Sequence, residues 1–561
     1  MTTNQPLTTV QRILPVTRWL GSYRPAWLRP DLIGGLTVWA LVVPESMAYA
    51  NIAGVPVQYG LYSVPLAILG YWLFGTSRRL FVGPSSTVAV LSAATVAPLA
   101  AANSDDYIAL TAALAILVGV LYVILGLLRM GFIARFFAKP VLDGFIVGLG
   151  LYIAIGQLYK VLGAPKPSGN TVQVLWGDIT EFSQWDWTTV AIGVGALLAL
   201  FGLSRFAPKV PGALVVVVLG IAATTAMDLG AAGVKLVGAV PTGFNSVPWS
   251  GVTASALADM VPGALGIIVV GFAQSLAIAK TYAAKENQPI DPNGEMIGYG
   301  AASIGAGALQ GFTPTGSLSK SAAATEAGGK SPVAFLVVAV MVVLTVLYLA
   351  GLFENLPEAV LGAIVIHAVS GMIDFGKLVR LRRARVADFW LALGALLGVI
   401  LIGILAGIVV GVVLSLIFLV HRLDNPHATA LGLDPDHERY VDLSTKPDAE
   451  TVPGVLVYRL DGPLVFSNAE AVSNDVRDRV VGAAAPVRIV VFDMESVSEI
   501  DTSGTDALER LRQDLLAAGT STVLARVHAQ ILDYLNRIGS RDVFGDDTVF
   551  PSVRDAVQHH T

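Results

Sequence analysis

FVGPSSTVAV at Phe81–Val90 and GFTPTGSLSKS at Gly311–Ser321 are two polar breaks, marked by proline and glycine, at matching places in two hydrophobic blocks of the chain. Inside a bilayer every unpaired backbone N–H or C=O costs several kcal/mol, so irregular backbone survives only where protein or an aqueous cavity surrounds it. Paired breaks of this kind predict half-helices whose amino ends face each other near mid-bilayer. Such ends offer unpaired N–H donors and the positive pole of the helix dipole, a combination suited to a small anion.

Composition places these breaks in a membrane. Of 561 residues, 54% are hydrophobic and 14% charged, with a mean hydropathy of +0.68. That is too little charge to coat a soluble protein of this size. The net charge of -5 hides a regional split: long apolar runs fill residues 31 to 420, and a charged, soluble-like composition follows His421. Cysteine is absent, which excludes disulfides and thiol chemistry. Met1–Thr9 is polar and uncharged and does not resemble a signal peptide. The expected organisation is a cytoplasmic segment over 1–30, a transmembrane unit over 31–425, a linker over 426–450 and a soluble domain over 451–561.

Fourteen segments are expected to cross: 32–53, 59–74, 84–101, 108–128, 141–162, 188–206 and 211–227 in the first half, then 260–282, 296–310, 316–325, 332–352, 356–373, 389–405 and 406–420. Charge tests the count independently. Arg12, Arg18, Arg24 and Arg29 precede the first segment. Alternate loops then carry Arg78 and Arg79; Arg129, Arg135 and Lys139; Arg205 and Lys209; Lys280 and Lys285; Lys330; and the cluster Lys377, Arg380, Arg382, Arg383 and Arg385. Intervening loops are acidic or neutral, apart from Lys160 and Lys166. This alternation works only if both half-helices count as crossings, and it puts both termini in the cytoplasm. Seven segments per half, repeats of about 31–227 and 260–420, invert the second copy relative to the first, with the break third in each.

The candidate anion ligands are the hydroxyls at the two breaks: Ser85, Ser86 and Thr87 in one, Ser317 and Ser319 in the other. Ordinary interhelical hydrogen bonding is the competing use of such hydroxyls. Lys320 adds a positive field or, alternatively, neutralises the scaffold. Pro84 and Pro314 suit positions in or just before a first turn, where a missing N–H costs nothing. Glu45 lies well inside the first span, and a carboxylate at that depth must pair, face a cavity or hold a proton. A proton on it and an anion beside it would favour each other, a route to coupling; a purely structural carboxyl is the alternative. Gln274 occupies the equivalent segment of the second half as an auxiliary polar group that cannot titrate. His367 and His421 are isolated, and no metal, dinucleotide or phosphate-loop pattern supports an enzyme. His367 is read as a packing residue.

Beyond residue 450, strand-like runs VPGVLVYRL and VRIVVFDM, then STVLARV and DDTVF, alternate with helical patterns at 504–519 and 528–540. These indicate a small α/β domain. At the junction Asp501-Thr502-Ser503-Gly504 a hydroxyl is expected to cap the helix first, and to serve as a phosphorylation switch second.

The stretches VVPESMAYANIAGVPVQYGLYS, RLFVGPSSTVAV, GFAQSLAIAK, GSLSKSAAATEAGGKSP and DMESVSEIDTSG together resemble the SulP/SLC26 anion transporters with a carboxyl-terminal STAS domain. The resemblance covers nearly the whole chain. It implies a polytopic helical fold of core and gate domains in a 7+7 inverted repeat, elevator-like alternating access, a homodimer and a plasma-membrane location. It implies a substrate site between the third and tenth segments, with Lys320 where several relatives carry arginine and Glu45 at an acidic position linked to proton coupling. Gln274 departs from the acidic residue that sodium-coupled relatives carry, which argues against sodium. Ser503 matches the phosphorylated hydroxyl of related anti-sigma antagonists, so a cytosolic regulatory partner is expected at the STAS domain. Sulfate is the first expected substrate, then bicarbonate or a C4-dicarboxylate; neither a cofactor nor nucleic acid is expected. An uncoupled exchanger or channel-like path is the nearest alternative, and a membrane-anchored signalling protein the more distant one.

Overall fold

The structure is a computed structural model that describes residues 14–132, 139–165, 169–208, 210–249, 251–286, 288–424, 427–437, 439–540 and 546–561. Arg12, Arg135, Lys166 and Lys209 of the charge alternation lie outside the described residues. The chain divides into two compact units, Met1–Ser415 and Leu416–Thr561.

In the first half of the helical unit, α1 spans Leu28–Ala53, α2 Val57–Tyr62 and α3 Pro65–Phe74. A short strand β1, Phe81–Gly83, leads into α4, Ser86–Val96. Then come α5 (Asp105–Leu127), α6 (Lys139–Ile155), α7 (Leu158–Leu162), α8 (Thr171–Thr180), α9 (Trp187–Phe206) and α10 (Gly212–Met227). The second half opens with α11, 33 residues over Ala254–Glu286, and α12, Pro292–Ala308. Strand β2 (Thr315–Ser317) leads into α13 (Leu318–Glu326). The half continues with α14 (Val333–Leu344), α15 (Glu358–Ser370), α16 (Phe375–Ala384), α17 (Val386–Leu397) and α18 (Ile404–Asp424). Among the described residues seven helices are long and apolar enough to cross a membrane alone, and shorter apolar helices accompany them. In each half a strand and a short helix replace the third crossing.

Two expected segments and one expected loop differ in detail. The one over 59–74 is two helices, because Pro65 at the first turn of α3 supplies no N–H to continue α2. At the joint, the Ser63 hydroxyl accepts from the Phe312 amide (2.9 Å), and a side chain at Gly311 would overlap Ser63. The segment over 141–162 stops at Ile155 and restarts as α7. The basic cluster around Lys377 is not a loop but α16, an amphipathic helix whose Leu378 and Leu381 pack with Val147 and Leu396.

Tight packing of α12 on α5 comes from small residues, the usual means of close helix approach in membranes. A side chain added at Gly300 would sit 2.7 Å from the Gly119 carbonyl, and one at Gly307 2.7 Å from that of Ala112.

The second unit holds a six-stranded sheet of β3 (His427–Asp434), β4 (Arg439–Asp442), β5 (Val455–Asp461), β6 (Ile489–Asp493), β7 (Ser521–Ala525) and β8 (Val549–Phe550), in the order β4-β3-β5-β6-β7-β8. The pairs from β5 to β8 are parallel, and β3 runs antiparallel to both its neighbours. Both faces are covered, which is why the central strands read as unbroken apolar runs. Tyr458, Val490, Phe492 and Leu524 pack beneath α19 (Ala469–Val481), α20 (Thr502–Ala517) and α21 (Ala529–Arg537). Val457, Val491 and Val523 face α22 (Val553–His560). The stretch expected as a linker over 426–450 therefore contributes two strands. Its alternation was short, and the pairing partner β5 lies beyond it.

Candidate anion site

The two breaks meet as an antiparallel pair: Phe81 lies opposite Ser317, Val82 opposite Gly316 and Gly83 opposite Thr315. This two-strand crossing satisfies backbone groups that lipid would leave unpaired. It also fixes the amino ends of α4 and α13 beside each other, with the helices leading away in opposite directions. Two side-chain bonds lock the crossing: the Phe81 amide donates to Ser321 Oγ (2.8 Å), and the Gly316 amide donates to Ser275 Oγ on α11 (2.9 Å).

Ser85 is the N-cap of α4 in extended conformation, yet its side chain makes no capping bond. Its hydroxyl shares a hydrogen bond with Thr315 Oγ1 instead (2.9 Å). The amides of Ser86, Thr87 and Val88 thus have no acceptor among the described residues. Ser86 and Thr87 are buried, and Ser86 Oγ lies 4.0 Å from Met372 Sδ. At the other tip, Ser317 caps α13 through the Lys320 amide (3.5 Å), and its hydroxyl lies 3.3 Å from that of Ser319, which is exposed. Pro84 sits just before the α4 cap, as a pre-turn residue should. Pro314 lies in the extended approach to β2, outside the first turn of α13.

Lys320 and Glu45, read separately in the sequence, form one ion pair: Lys320 Nζ donates to Glu45 Oε2 at 2.5 Å, with side-chain exposures of 3% and 15%. Tyr49, one turn along α1, donates its hydroxyl to the same oxygen (3.0 Å), and the ammonium lies 5.4 Å from its ring centroid. The lysine is therefore neutralised in this state rather than a bare positive charge. On α11 the buried Gln274 Oε1 has no hydrogen-bond partner among the described residues, and neither has Thr313 Oγ1 on the approach to β2. His367 on α15 stacks edge-on against Phe201. Ser503 belongs to the second unit.

The cap of α20 corrects an expectation. Asp501, not a neighbouring hydroxyl, caps that helix, accepting from the Gly504 amide (2.7 Å) and the Phe466 amide (2.9 Å). A carboxylate reaches both donors at once, leaving Ser503 exposed in the first turn.

Sequence reading missed the residues that hold the site. Glu295, fully buried on α12, accepts five hydrogen bonds: from Tyr71 (2.9 Å), Tyr299 (2.6 Å), the Thr76 hydroxyl (2.6 Å), and the amides of Thr76 (2.8 Å) and Ser77 (3.0 Å). It clamps the turn that enters β1. Asp31, also fully buried, accepts from the Lys330 amide (2.6 Å) and the Ser331 amide and hydroxyl (2.9 and 2.6 Å), clamping the turn that leaves α13. A carboxylate near the end of an apolar span was the available signal, and it looks the same whether it faces solvent or a neighbouring turn.

Opposed half-helices within a polytopic helical unit, followed by a mixed α/β domain, define a membrane transporter of small anions rather than an enzyme. Residues 28–395 match the sulfate permease family and residues 446–556 the STAS domain, and the chain belongs to that SulP/SLC26 family. It is 34% identical over 538 residues to a Mycobacterium tuberculosis protein named "Probable sulfate transporter", covering 96% of each chain. Sulfate transporter 4.1 of Arabidopsis thaliana chloroplasts is 30% identical over 98% of this chain and 82% of its own. The murine SLC26A9 anion transporter, solved in an inward-facing state, superimposes with a TM-score of 0.90 at 25% identity over 100% of this chain and 95% of that one.

Proposed function

We propose that the chain is a proton-coupled sulfate transporter of the plasma membrane in which sulfate binds between the tips of α4 and α13. Its ligands are the hydroxyls of Ser85, Ser86, Thr87, Ser317 and Ser319 and the open amides of the α4 tip. The observation that carries this reading is the antiparallel β1–β2 crossing, which sets the two helix amino ends side by side next to the Glu45–Lys320 pair.

Charge arithmetic links the substrate to the proton. Each helix amino end is worth about +0.5 of a charge, so two provide about +1. With Glu45 ionised, Lys320 cancels and the site stays near about +1, which suits a monovalent anion. A proton on Glu45 releases the ammonium and raises the site to about +2, matching divalent sulfate. Sulfate and a proton then bind as a pair, and neither is held well alone. Gln274 contributes an acceptor without titrating, consistent with a cycle that uses no sodium. Relatives named as sulfate transporters support the choice of substrate. Both termini face the cytoplasm, the core carries the site past the gate in an elevator-like movement, and the working unit is a homodimer. The STAS domain offers Ser503 to a cytosolic regulatory partner.

Sulfate uptake into proteoliposomes under an inward proton gradient tests the coupling. Wild-type protein should accumulate sulfate, and Glu45→Gln should exchange it without responding to pH. Bicarbonate, chloride, fumarate and succinate, each with and without a sodium gradient, complete the panel. Equal pH-driven accumulation by the variant would remove Glu45 from the mechanism; a sodium requirement would replace the proton.

A further inference from the structure

The face of the helical unit that carries the chain's amino-terminal turns contains a cavity of about 370 Å³, which the anion path does not use. Trp19, Trp27, Arg78, Arg79, Lys330 and the carboxylate of Glu286 line it. These cations come from the turns entering β1 and leaving α13, the two turns that Glu295 and Asp31 clamp.

The charges are unevenly matched. Arg79 is satisfied: its Nε meets Glu286 Oε1 at 2.5 Å, and it donates to the Gly329 carbonyl at 2.6 Å. Arg78 and Lys330 have no carboxylate within ion-pair distance among the described residues. Arg78 is half-buried. Burial, against the opposing pull of Glu286, holds its guanidinium below the ordinary arginine value, and the nearby Arg18 guanidinium pushes the same way. A partly desolvated guanidinium whose nearest carboxylate, Glu286, is already in contact with Arg79 is costly, and its planar fork fits a tetrahedral oxyanion through two parallel bonds. The surroundings are interfacial: Tyr23 and Trp27 pack edge to face, Arg24 lies 5.9 Å from the Trp27 ring, and Leu20 and Leu28 are exposed beside them. Tryptophan and arginine gather at headgroup depth in this way.

We propose that this cavity binds a phosphate group, held by the Arg78 fork and Lys330, either on an anionic lipid headgroup or on a free phosphate compound. An occupant would bridge the turns that anchor both half-helices and so stiffen the frame of the transport site. Placing the cavity in the cytoplasm rests on the topology proposed above; the binding itself does not.

Native mass spectrometry of the full-length protein in neutral detergent, titrated with short-chain phosphatidylglycerol, tests this, with inorganic phosphate titrated in parallel by calorimetry. Wild type should retain the phospholipid, and the double variant R78Q/K330Q should bind it at least about tenfold more weakly, with sulfate binding unchanged. R78K, which keeps the charge but loses the fork, should fall between them and controls for folding. Phosphate binding that is lost in the same variant assigns the site to free phosphate compounds; lipid binding alone assigns it to headgroups. Equal lipid and phosphate binding by wild type and R78Q/K330Q, or none by wild type, overturns the site while leaving the sulfate site untouched.

Discussion

At Glu45 and Lys320 two residues with separate meanings in sequence become one electrostatic object. Removing one partner of a buried pair leaves an uncompensated charge and costs about 3–5 kcal/mol. Lys320→Met should therefore lower the melting temperature sharply, and Glu45→Gln should do so through the stranded ammonium. The double variant should recover most of the loss, because an uncharged pair of similar volume has little to desolvate. Thermal unfolding of all four proteins in one detergent gives the coupling directly, and simple additivity would mean that the pair is not made. Bound sulfate should rescue Glu45→Gln more than Lys320→Met, since only the former keeps a cation for it. Glu295 makes a parallel case without a cation. Its five donors are expected to be worth about 3–5 kcal/mol together, so Glu295→Ala should unfold early and Glu295→Gln less so. A melting curve for Glu295→Ala that matches wild type would show that the clamp contributes nothing.

Among the elements, the half-helices were legible because proline, glycine and hydroxyls interrupt apolar runs at Phe81–Val90 and Gly311–Ser321. Their partnership was half legible: matching positions suggested it, but the register Phe81–Ser317 depends on the fold of both halves. The Glu45–Lys320 contact joins residues 275 positions apart, and neither residue's neighbours encode the other. Helix α16 was hidden because four basic residues outweigh Leu378 and Leu381 in its hydropathy. Close packing of α12 and α5 was visible only as glycine content. Gly300→Leu should overpack that seam by about 1–3 kcal/mol and reduce the yield of folded protein by size-exclusion chromatography. The β3–β4 hairpin, unseen in sequence, carries its own pH signature. Hydrogen bonds from Lys446 (2.7 Å), then His437 (3.1 Å) and the Asp436 amide (3.2 Å), lower the Asp434 carboxyl to about 2 from 3.8. The unfolded hairpin thus takes up a proton first on acidification. Its stabilisation is complete above the ordinary carboxyl value and is lost as pH falls from about 4 to about 2. Asp442 on β4, held below the ordinary carboxyl value chiefly by the Thr429 hydroxyl, adds to the same acid response. Hydrogen exchange of this hairpin in the full-length protein should accelerate across that interval, relative to the intrinsic rate, and Asp434→Asn should reduce the pH step, leaving the part that Asp442 contributes.

For the transport unit as a whole, the exposure of its two half-helices differs, and that difference defines which side of the site is open. On α13 the tip residues Leu318, 54% exposed, and Ser319 and the far-end residues Thr325 and Glu326 are exposed, with the half-buried Ala322 and Ala323 between them on the same face. Those positions follow the helical repeat, so they form one continuous wall. On α4 every residue from Ser86 to Ser92 is buried, and beyond it Ala93, Ala94 and Ala97 line a separate cavity of about 510 Å³ against Ile400–Ile404. The proposed anion path would accordingly run from the shared tips along α13, toward the turn that Asp31 clamps beside the amino end of α1. The proposed topology makes that the cytoplasmic side. A chain with no native cysteine allows a clean test. Leu318→Cys, in inside-out vesicles, should react with a membrane-impermeant thiol reagent, and sulfate should slow the reaction. In right-side-out vesicles the same residue should react only as fast as the core moves the tips across the gate, so a proton gradient that drives turnover should speed it. Labelling that is fast from the outer face, or indifferent to sulfate from the inner one, would mean that the wall along α13 is not the route to the anion.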